Sequence, residues 1–444
     1  MKTSSILRGI SAAAVAATAL TAIVSSANAG GFAVREQSAL HQGASFAGSA
    51  SGSDLSTMYW NPAGVVLDGT NTASHNSLIL GQTDITADRA RSNLINPGAN
   101  TNESGNIASP ALVGSSYANT QLGGATNVHI GVSINAPFGL TTQPDNRDYF
   151  GSIPGRTAKI FNLVGTPTVG MEVMPGVAVA VGAQIGYMDA KLKFGPAQAG
   201  NVFFIGDDYA LGWTAGIMLD PMPGTRIGIG YRSELEYELD GKFGDNIIGA
   251  RFGAETELTT PDIVTLSITQ AISPTIRVMG TFEWTNWSDF DQLDIVPQQS
   301  NVVNFASLQT GVLPTAGQTF LALETEWEDA WYASFGAEMD IGGGMTLRTG
   351  IAYEESPIQK ATQRITSAPD NNRIWLSGGL SWALSPAMSV DASYTHIFVE
   401  DADVQRNSIL DPNQTFFADV EASVDIISVG LNMKLGHREE EALK

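Results

Sequence analysis

The chain contains no cysteine, which removes disulfides, thiol nucleophiles and cysteine metal sites from consideration. Charge is sparse too: 15% of the 444 residues are charged, and 45 Asp and Glu outnumber 23 Lys and Arg. A formal net charge of −22 argues against a nucleic-acid partner, whose phosphates need a Lys/Arg surface. The five histidines, His41, His75, His129, His396 and His437, are scattered, with no pair at the spacing of a helical zinc site. Neither a G-x-S-x-G elbow nor a P-loop occurs. Carboxylates gather at Glu326, Glu328 and Asp329, where a solvated rim at a loop-to-strand junction is the simpler explanation. No catalytic constellation, metal set or cofactor motif emerges, so the expectation is a protein that is not an enzyme.

Long apolar runs are also missing, with one exception at the N-terminus. Lys2 and Arg8 precede an apolar stretch from Ile10 to Val24, and Ala27-Asn28-Ala29 offers a small-residue cleavage site. This predicts a signal peptide over residues 1–29 with cleavage before Gly30. The stretch is shorter than the roughly 20 residues of a spanning helix. Losing Lys2 and Arg8 with a leader that has no acidic residue takes the net charge to −24.

What the chain does have is alternation. Val177, Val179, Val181, Ala183 and Ile185 alternate with Ala178, Ala180, Gly182, Gln184 and Gly186, and Ile427 to Leu435 alternates with Ser428, Gly430, Asn432 and Lys434. With 47 glycines and 19 prolines punctuating such segments, the pattern is many strands broken by turns. Turn signals predict about fourteen strands, near 72–87, 108–118, 126–136, 157–173, 176–194, 208–219, 225–239, 262–272, 275–289, 329–340, 345–355, 373–384, 387–400 and 423–436. Connections alternate between short ones, such as Met174-Pro175 and Ser385-Pro386, and long ones near 88–107, 137–156, 240–261, 290–328, 356–372 and 401–422.

An even strand count, with short turns at one end and long loops at the other, predicts an all-β, antiparallel transmembrane barrel in the outer membrane of a Gram-negative cell. Closure gives every backbone group a partner in hydrocarbon. The Val/Ile/Leu face would meet lipid and the Gly/Ser/Thr/Asn face the lumen. Tyr117, Tyr187, Trp213, Tyr231, Trp284, Trp287, Trp331, Tyr332, Tyr353, Trp382 and Tyr394 suit interfacial girdles, the other reading for each being a core aromatic. Residues 30–69 lack strand alternation and are rich in small residues; a barrel this wide needs filling, so they read as a plug (hatch) inside the lumen. The expected layout is signal peptide 1–29, hatch 30–69, barrel 70–436 and a charged tail 437–444.

Three blocks carry a family resemblance: GGFAVREQSALHQGASFAGSASGSDLSTMYWNPAGV at residues 30–65, FEWTNWSDFDQL at 282–293, and the pair EWEDAWYASFGAEMDIGGGMTLRTGIAYEESPI and PDNNRIWLSGGLSWALSPAMSVDASYTHIF at 326–358 and 369–398. They resemble the FadL-like long-chain fatty acid transporters of the outer membrane over essentially the whole mature chain. The resemblance implies a fourteen-stranded barrel with an N-terminal hatch whose Asn-Pro-Ala element is Asn61, Pro62 and Ala63. It implies energy-independent passage: capture at extracellular loops, a lumen pocket near the mature N-terminus, and release through a kink in the third strand. Phe32 is the candidate pocket residue, the other reading being an anchor for the plug, and Pro137, Phe138 and Gly139 are the candidate lateral exit; the other reading of Pro137 is the start of a long loop. Arg232 and Arg348 are lumen-side candidates for a ligand carboxylate.

The expected partners are hydrophobic small molecules, long-chain fatty acids first, with outer membrane lipid and lipopolysaccharide around a monomer. A family relative passing aromatic or aliphatic hydrocarbons is the alternative, ahead of a general porin or a barrel enzyme. The chain departs from the family at its end, running past Leu435 into GHREEEALK where such barrels commonly finish on an aromatic residue.

Overall fold

The computed structural model describes residues 30–96, 98–123, 127–195, 201–408 and 411–435. The predicted signal peptide and charged tail lie outside the described residues.

Fourteen antiparallel strands close on themselves. They are β1 (Thr70–Ala87), β2 (Ala111–Gln121), β3 (Val128–Asn135), β4 (Thr157–Met174), β5 (Val177–Phe194), β6 (Val202–Met222) and β7 (Thr225–Arg232). The circuit continues with β8 (Ile263–Ala271), β9 (Ile276–Thr285), β10 (Ala330–Gly342), β11 (Met345–Glu354), β12 (Arg373–Ser385), β13 (Met388–Val399) and β14 (Asp411–Leu435). Each pairs with its neighbours in order, and β14 returns to β1 in continuous register from Thr70↔Leu435 to Ala87↔Ala418. No sheet edge is left over on this circuit, which is what hydrocarbon demands.

Side-chain parity sets the two faces. On β5 and β6, Val181, Ile185, Leu211 and Ile217 point outward and are exposed, whereas Gln184, Met188 and Thr214 are buried in the lumen. The same alternation corrects part of the expected girdle. Trp213, Trp382 and Tyr394 are exposed on the outer wall, but Tyr117 and Tyr332 point inward and are buried; Trp287 is buried as well, in a 3-10 turn just beyond β9. Trp331 and Tyr332 are adjacent on one strand, so they cannot share a face.

Several expected loops carry more structure than predicted. The wall continues above β7 and β8 as a hairpin, Leu235–Asp245 with Arg251–Thr260. Beyond β13, Ala402–Ser408 pairs with the extended start of β14. The sixth strand also starts earlier than expected, at Val202.

Residues 30–65 are almost all buried and pack against the inward faces of the strands. A single turn, α1 (Ala39–Gln42), is N-capped by Ser38, and short 3-10 turns follow at Ser49–Ser51, Leu55–Tyr59 and Pro62–Val65. Asn61 organises the last of these. Its side chain accepts from Ala63 N (3.0 Å) and donates to Ala50 O (2.8 Å) and to Ile217 O of β6 (3.0 Å). The wall makes room with glycine: a side chain at Gly216 would overlap Asn61, and one at Gly230 would overlap the Trp60 carbonyl. Glycines on the inward face of the strands thus leave room for the N-terminal segment.

Candidate functional site

The long-loop half of the lumen is apolar. Phe204, Leu239, Phe243, Phe252, Ile295 and Phe320 belong to one buried cluster that continues down to Phe32, Phe138, Trp287, Phe290 and Trp327. The external hairpin and a loop built on Gln292–Pro297 paired with Leu321–Glu324 form its upper part. A second short helix, α2 (Phe305–Thr310), is capped by Asn304 and Ser307, and its Phe305 N–H donates to Asp245 of the hairpin at 3.1 Å. Ile248, Val303, Leu308 and Val312 are left exposed on this loop face.

At the floor of the apolar interior, Phe32 is 1% exposed and enclosed by four rings. Its centroid lies 4.9 Å from Trp287, 5.3 Å from Phe290, 5.7 Å from Phe138 and 5.9 Å from Trp327. Its backbone is tied to the third strand: Gly139 N donates to Phe32 O (2.9 Å), Val34 N to Pro137 O (2.7 Å), and Ala33 bridges Phe138. The structure therefore brings Phe32 together with Pro137, Phe138 and Gly139.

Pro137 lies in a break within a strand. β3 pairs with β4 from Val128 to Asn135, and after the break Gly139–Thr142 pairs with β4 again. On the other side the ladder to β2 stops at Ser116↔Ile134 and is next met at the isolated bridge Ala108↔Thr142. Among the described residues, no ladder pair joins β2 to the chain between those points. Proline cannot donate a ladder bond, which accounts for part of the gap.

Gln37 of the hatch fills the unpaired stretch. Its carbonyl accepts from Ser115 Oγ (2.7 Å) and Tyr117 Oη (2.9 Å) on β2. Its side chain donates to Ala136 O (2.9 Å) and accepts from Asn135 Nδ2 (3.1 Å) and Ala136 N (3.3 Å) on the β3 side. Buried backbone and amide groups that lack a ladder partner are thus satisfied by the plug.

Beside Phe32 sits a buried charged network. Arg35 Nη1 is 2.6 Å from Glu283 and Nη2 is 3.2 Å from Glu354, with the guanidinium 3.9 Å over the Tyr332 ring. Arg373 reaches Glu354 and Asp370, and Gly31 N donates to Asp370 Oδ2 at 2.9 Å. Burial, with Glu354 nearby, pushes the Glu36 carboxyl from its ordinary 4.5 up to about 7.

The two arginines named from sequence differ. Arg348 pairs with Glu338 at 2.9 Å near the short-turn end. Arg232 lines the cleft shared with Arg35, Trp287 and Tyr332, bonds Gln184 and the Tyr59 carbonyl, and stacks 4.5 Å over Tyr59. Among the described residues no carboxylate lies within 4.0 Å of it.

The predicted carboxylate rim is engaged by protein groups: Glu328 pairs with Lys360 at 2.8 Å, and Asp329 accepts from Ser288 N at 3.2 Å. Another acidic group, Glu234, Asp262 and Asp289, converges within 4.8 Å at the long-loop rim, where Asp262 already accepts from Tyr231 Oη and Glu234 N. Sequence reasoning did not single out Gln37 or the Arg35–Glu283–Glu354 network. Arg35 and Gln37 stand beside Phe32 in the block that carried the resemblance, but their partners lie far away in the chain.

Comparison with known proteins agrees with this architecture. The long-chain fatty acid transport protein of Escherichia coli O6:H1 is 29% identical over 210 residues, which is 43% of each chain. The crystal structure of a Pseudomonas aeruginosa FadL homologue superposes with a TM-score of 0.78 at 17% identity, covering 91% of this chain and all of that one. The toluene transporter TodX of Pseudomonas putida superposes at 0.64 with 12% identity, covering 90% of this chain and 98% of its own. The family model described as outer membrane protein transport protein (OMPP1/FadL/TodX) matches residues 20–435, and this outer membrane β-barrel belongs to that family.

Proposed function

We propose that the protein is a passive channel taking long-chain fatty acids or similar hydrophobic molecules across the outer membrane. The exposed apolar residues Ile248, Val303, Leu308 and Val312 capture the molecule at the long loops. It moves into the apolar interior, displaces the Phe32 segment, and leaves sideways between β2 and β3. The observation that carries this reading is the shared position of Phe32, which is both the floor of the apolar interior and a backbone partner of the Pro137–Gly139 break. Lateral release follows from energetics: an alkyl chain leaving into water would forfeit the burial that held it, whereas one leaving into lipid keeps it.

Arg232 is the residue we assign to a ligand carboxylate, because it lines the cleft without a carboxylate partner of its own, whereas Arg348 is already paired. That assignment favours fatty acids over the hydrocarbon reading, which the likeness to TodX keeps in view.

The test is binding and uptake of a saturated fatty acid series beside alkanes of matched length and toluene. Each added methylene brings about 0.8 kcal/mol, roughly fourfold in affinity, until the pocket is full. Arg232→Gln weakens fatty acids and leaves the alkanes unchanged. Affinity independent of chain length, with free passage of small sugars, would instead mark a general porin.

A further inference from the structure

Lysine is rare after residue 29, with seven in all, and four of them, Lys159, Lys191, Lys193 and Lys242, occupy one small area of the outer wall. Ladder register places them. Lys159 of β4 is opposite Lys191 of β5, Lys191 is opposite Ile205 of β6, and Ile205 is opposite Lys242 of the hairpin. One step further from the membrane, Lys193 is opposite Thr157 and Phe203, and Arg251 is stacked 4.7 Å over the Phe203 ring. Arg156 joins from the loop, its N–H donating to Lys193 O at 3.0 Å. Parity puts the four lysines on the face shared with the exposed Val181 and Ile185, and none has a carboxylate within 4.0 Å among the described residues.

Depth is fixed by the same register. Ile185 faces Leu211, which is 79% exposed, and the next outward pair is Tyr187 and Tyr209, whose rings are 4.9 Å apart. Tyrosines at this position mark the headgroup level of the long-loop leaflet. The lysine rows begin four residues further, about 13 Å along the strand and less than that along the membrane normal because barrel strands tilt. In a protein with almost twice as many acids as bases, a cluster of unpaired cations at that height needs an anion.

We propose that this surface binds the phosphates of the lipid A headgroup of lipopolysaccharide, holding one molecule against strands β4 to β6 and the hairpin. Acyl chains lie against the exposed apolar face below, and the phosphates meet Lys159, Lys191, Lys193 and Lys242. The lysines are flexible point-charge donors suited to phosphate oxygens. Asp189, Asp207 and Asp240 form a row between the tyrosines and the lysines; they offer the one competing arrangement, in which divalent cations bridge carboxylates to the lipid. The proposal rests on the outer membrane setting and is independent of what the channel carries.

The experiment uses the purified full barrel in detergent, with bound lipid counted by native mass spectrometry. The probes are bis-phosphorylated lipid A and the same lipid with its phosphates removed. We expect wild type to retain the phosphorylated lipid at least tenfold more strongly. The variant carrying Lys159→Ala, Lys191→Ala, Lys193→Ala and Lys242→Ala should lose that preference, and the Lys360→Ala control should keep it. Replacing the same four lysines by arginine preserves charge and should preserve binding, which separates loss of the site from failure to fold; heat-modifiable migration on a gel reports the folded barrel. Equal retention of both lipids by wild type, or an unchanged preference in the alanine variant, would overturn the proposal. So would release of the lipid by a chelator alone, which would assign it to metal-bridged carboxylates.

Discussion

Phe32 and Phe138 meet with ring centroids 5.7 Å apart, while the backbone of one is hydrogen-bonded beside the backbone of the other through Gly139 N and Phe32 O at 2.9 Å. One residue belongs to the hatch and the other to the break in the barrel wall. The apolar floor and the unpaired wall are therefore in direct contact, and on the proposed route a molecule that displaced Phe32 would also remove a strand-like partner from Pro137–Gly139.

Truncating that contact should separate binding from barrel stability. Phe32→Ala removes a fully enclosed ring, a change that typically costs about 3–5 kcal/mol in a packed core. Here the loss falls on seating of the N-terminal segment, because the barrel ladders do not include it. Amide exchange at residues 32–37 should speed up by at least a hundredfold with the barrel's thermal transition nearly unchanged, and affinity for long alkyl chains should drop. A fall in the barrel transition with unchanged exchange would contradict this.

Most of the wall was legible in the sequence because one force dominates it: Val/Ile/Leu against Gly/Ser/Thr at period two, punctuated by Pro and Gly. The misreadings came from local competition. Turn signals merge residues 225–239 into one strand and leave 240–261 as a loop, yet Leu235–Asp245 is the first arm of a hairpin, with Glu236, Glu238 and Asp240 outward and Tyr237, Leu239 and Phe243 inward. Residue type and position near strand ends suggest girdle places for Tyr117, Trp287 and Tyr332, but register sends Tyr117 and Tyr332 inward and Trp287 is buried in a 3-10 turn beyond the strand. Phe32 and Pro137 could be named singly. Their contact could not, since it joins residues about a hundred positions apart, and neither could the clasp at Gln37, a polar residue with no periodic signal.

Acidity should tighten the hatch. The carboxyl of Glu36 is buried, and its folded value of about 7 lies above the ordinary 4.5. Protonation is favoured in the folded state, so the stabilisation is fully present below about 4.5 and is lost as pH rises through about 7. Arg35, Glu354 and Arg373 are the charged groups acting on it. Exchange of hatch amides in wild type should increase between pH 6 and pH 8 beyond the intrinsic chemical trend. Glu36→Gln should flatten that excess; a variant that keeps the full dependence would place its origin elsewhere.

Gln37→Leu keeps the volume and removes the amide. Three side-chain hydrogen bonds to Asn135 and Ala136 disappear, leaving buried groups unsatisfied at roughly 1–3 kcal/mol each. The carbonyl contacts to Ser115 and Tyr117 remain, so the hatch stays in the lumen while the wall gap loosens. Exchange at Ala136, Phe138 and Gly139 should rise more than exchange at Ser115 and Tyr117. Equal loosening on both sides would mean that the amide does not act as the clasp.

The decisive prediction concerns movement. Ala33 and Phe138 are direct partners in an antiparallel bridge, and residues so opposed have Cα atoms about 4.5–5.5 Å apart, within reach of a disulfide. Because the chain has no cysteine, Ala33→Cys with Phe138→Cys introduces one defined bridge and no competing thiol. Oxidised, the N-terminal segment cannot leave the break in β3, so uptake of long-chain fatty acids should stop. Capture at the loops should persist, since Ile248, Val303 and Leu308 are untouched. Reduction should restore uptake to the level of the same variant never oxidised, which also accounts for the missing Phe138 ring. Equal uptake in the oxidised and reduced forms, with the bridge verified by mass and the barrel folded, would show that the molecule passes without the hatch and the break in the wall coming apart.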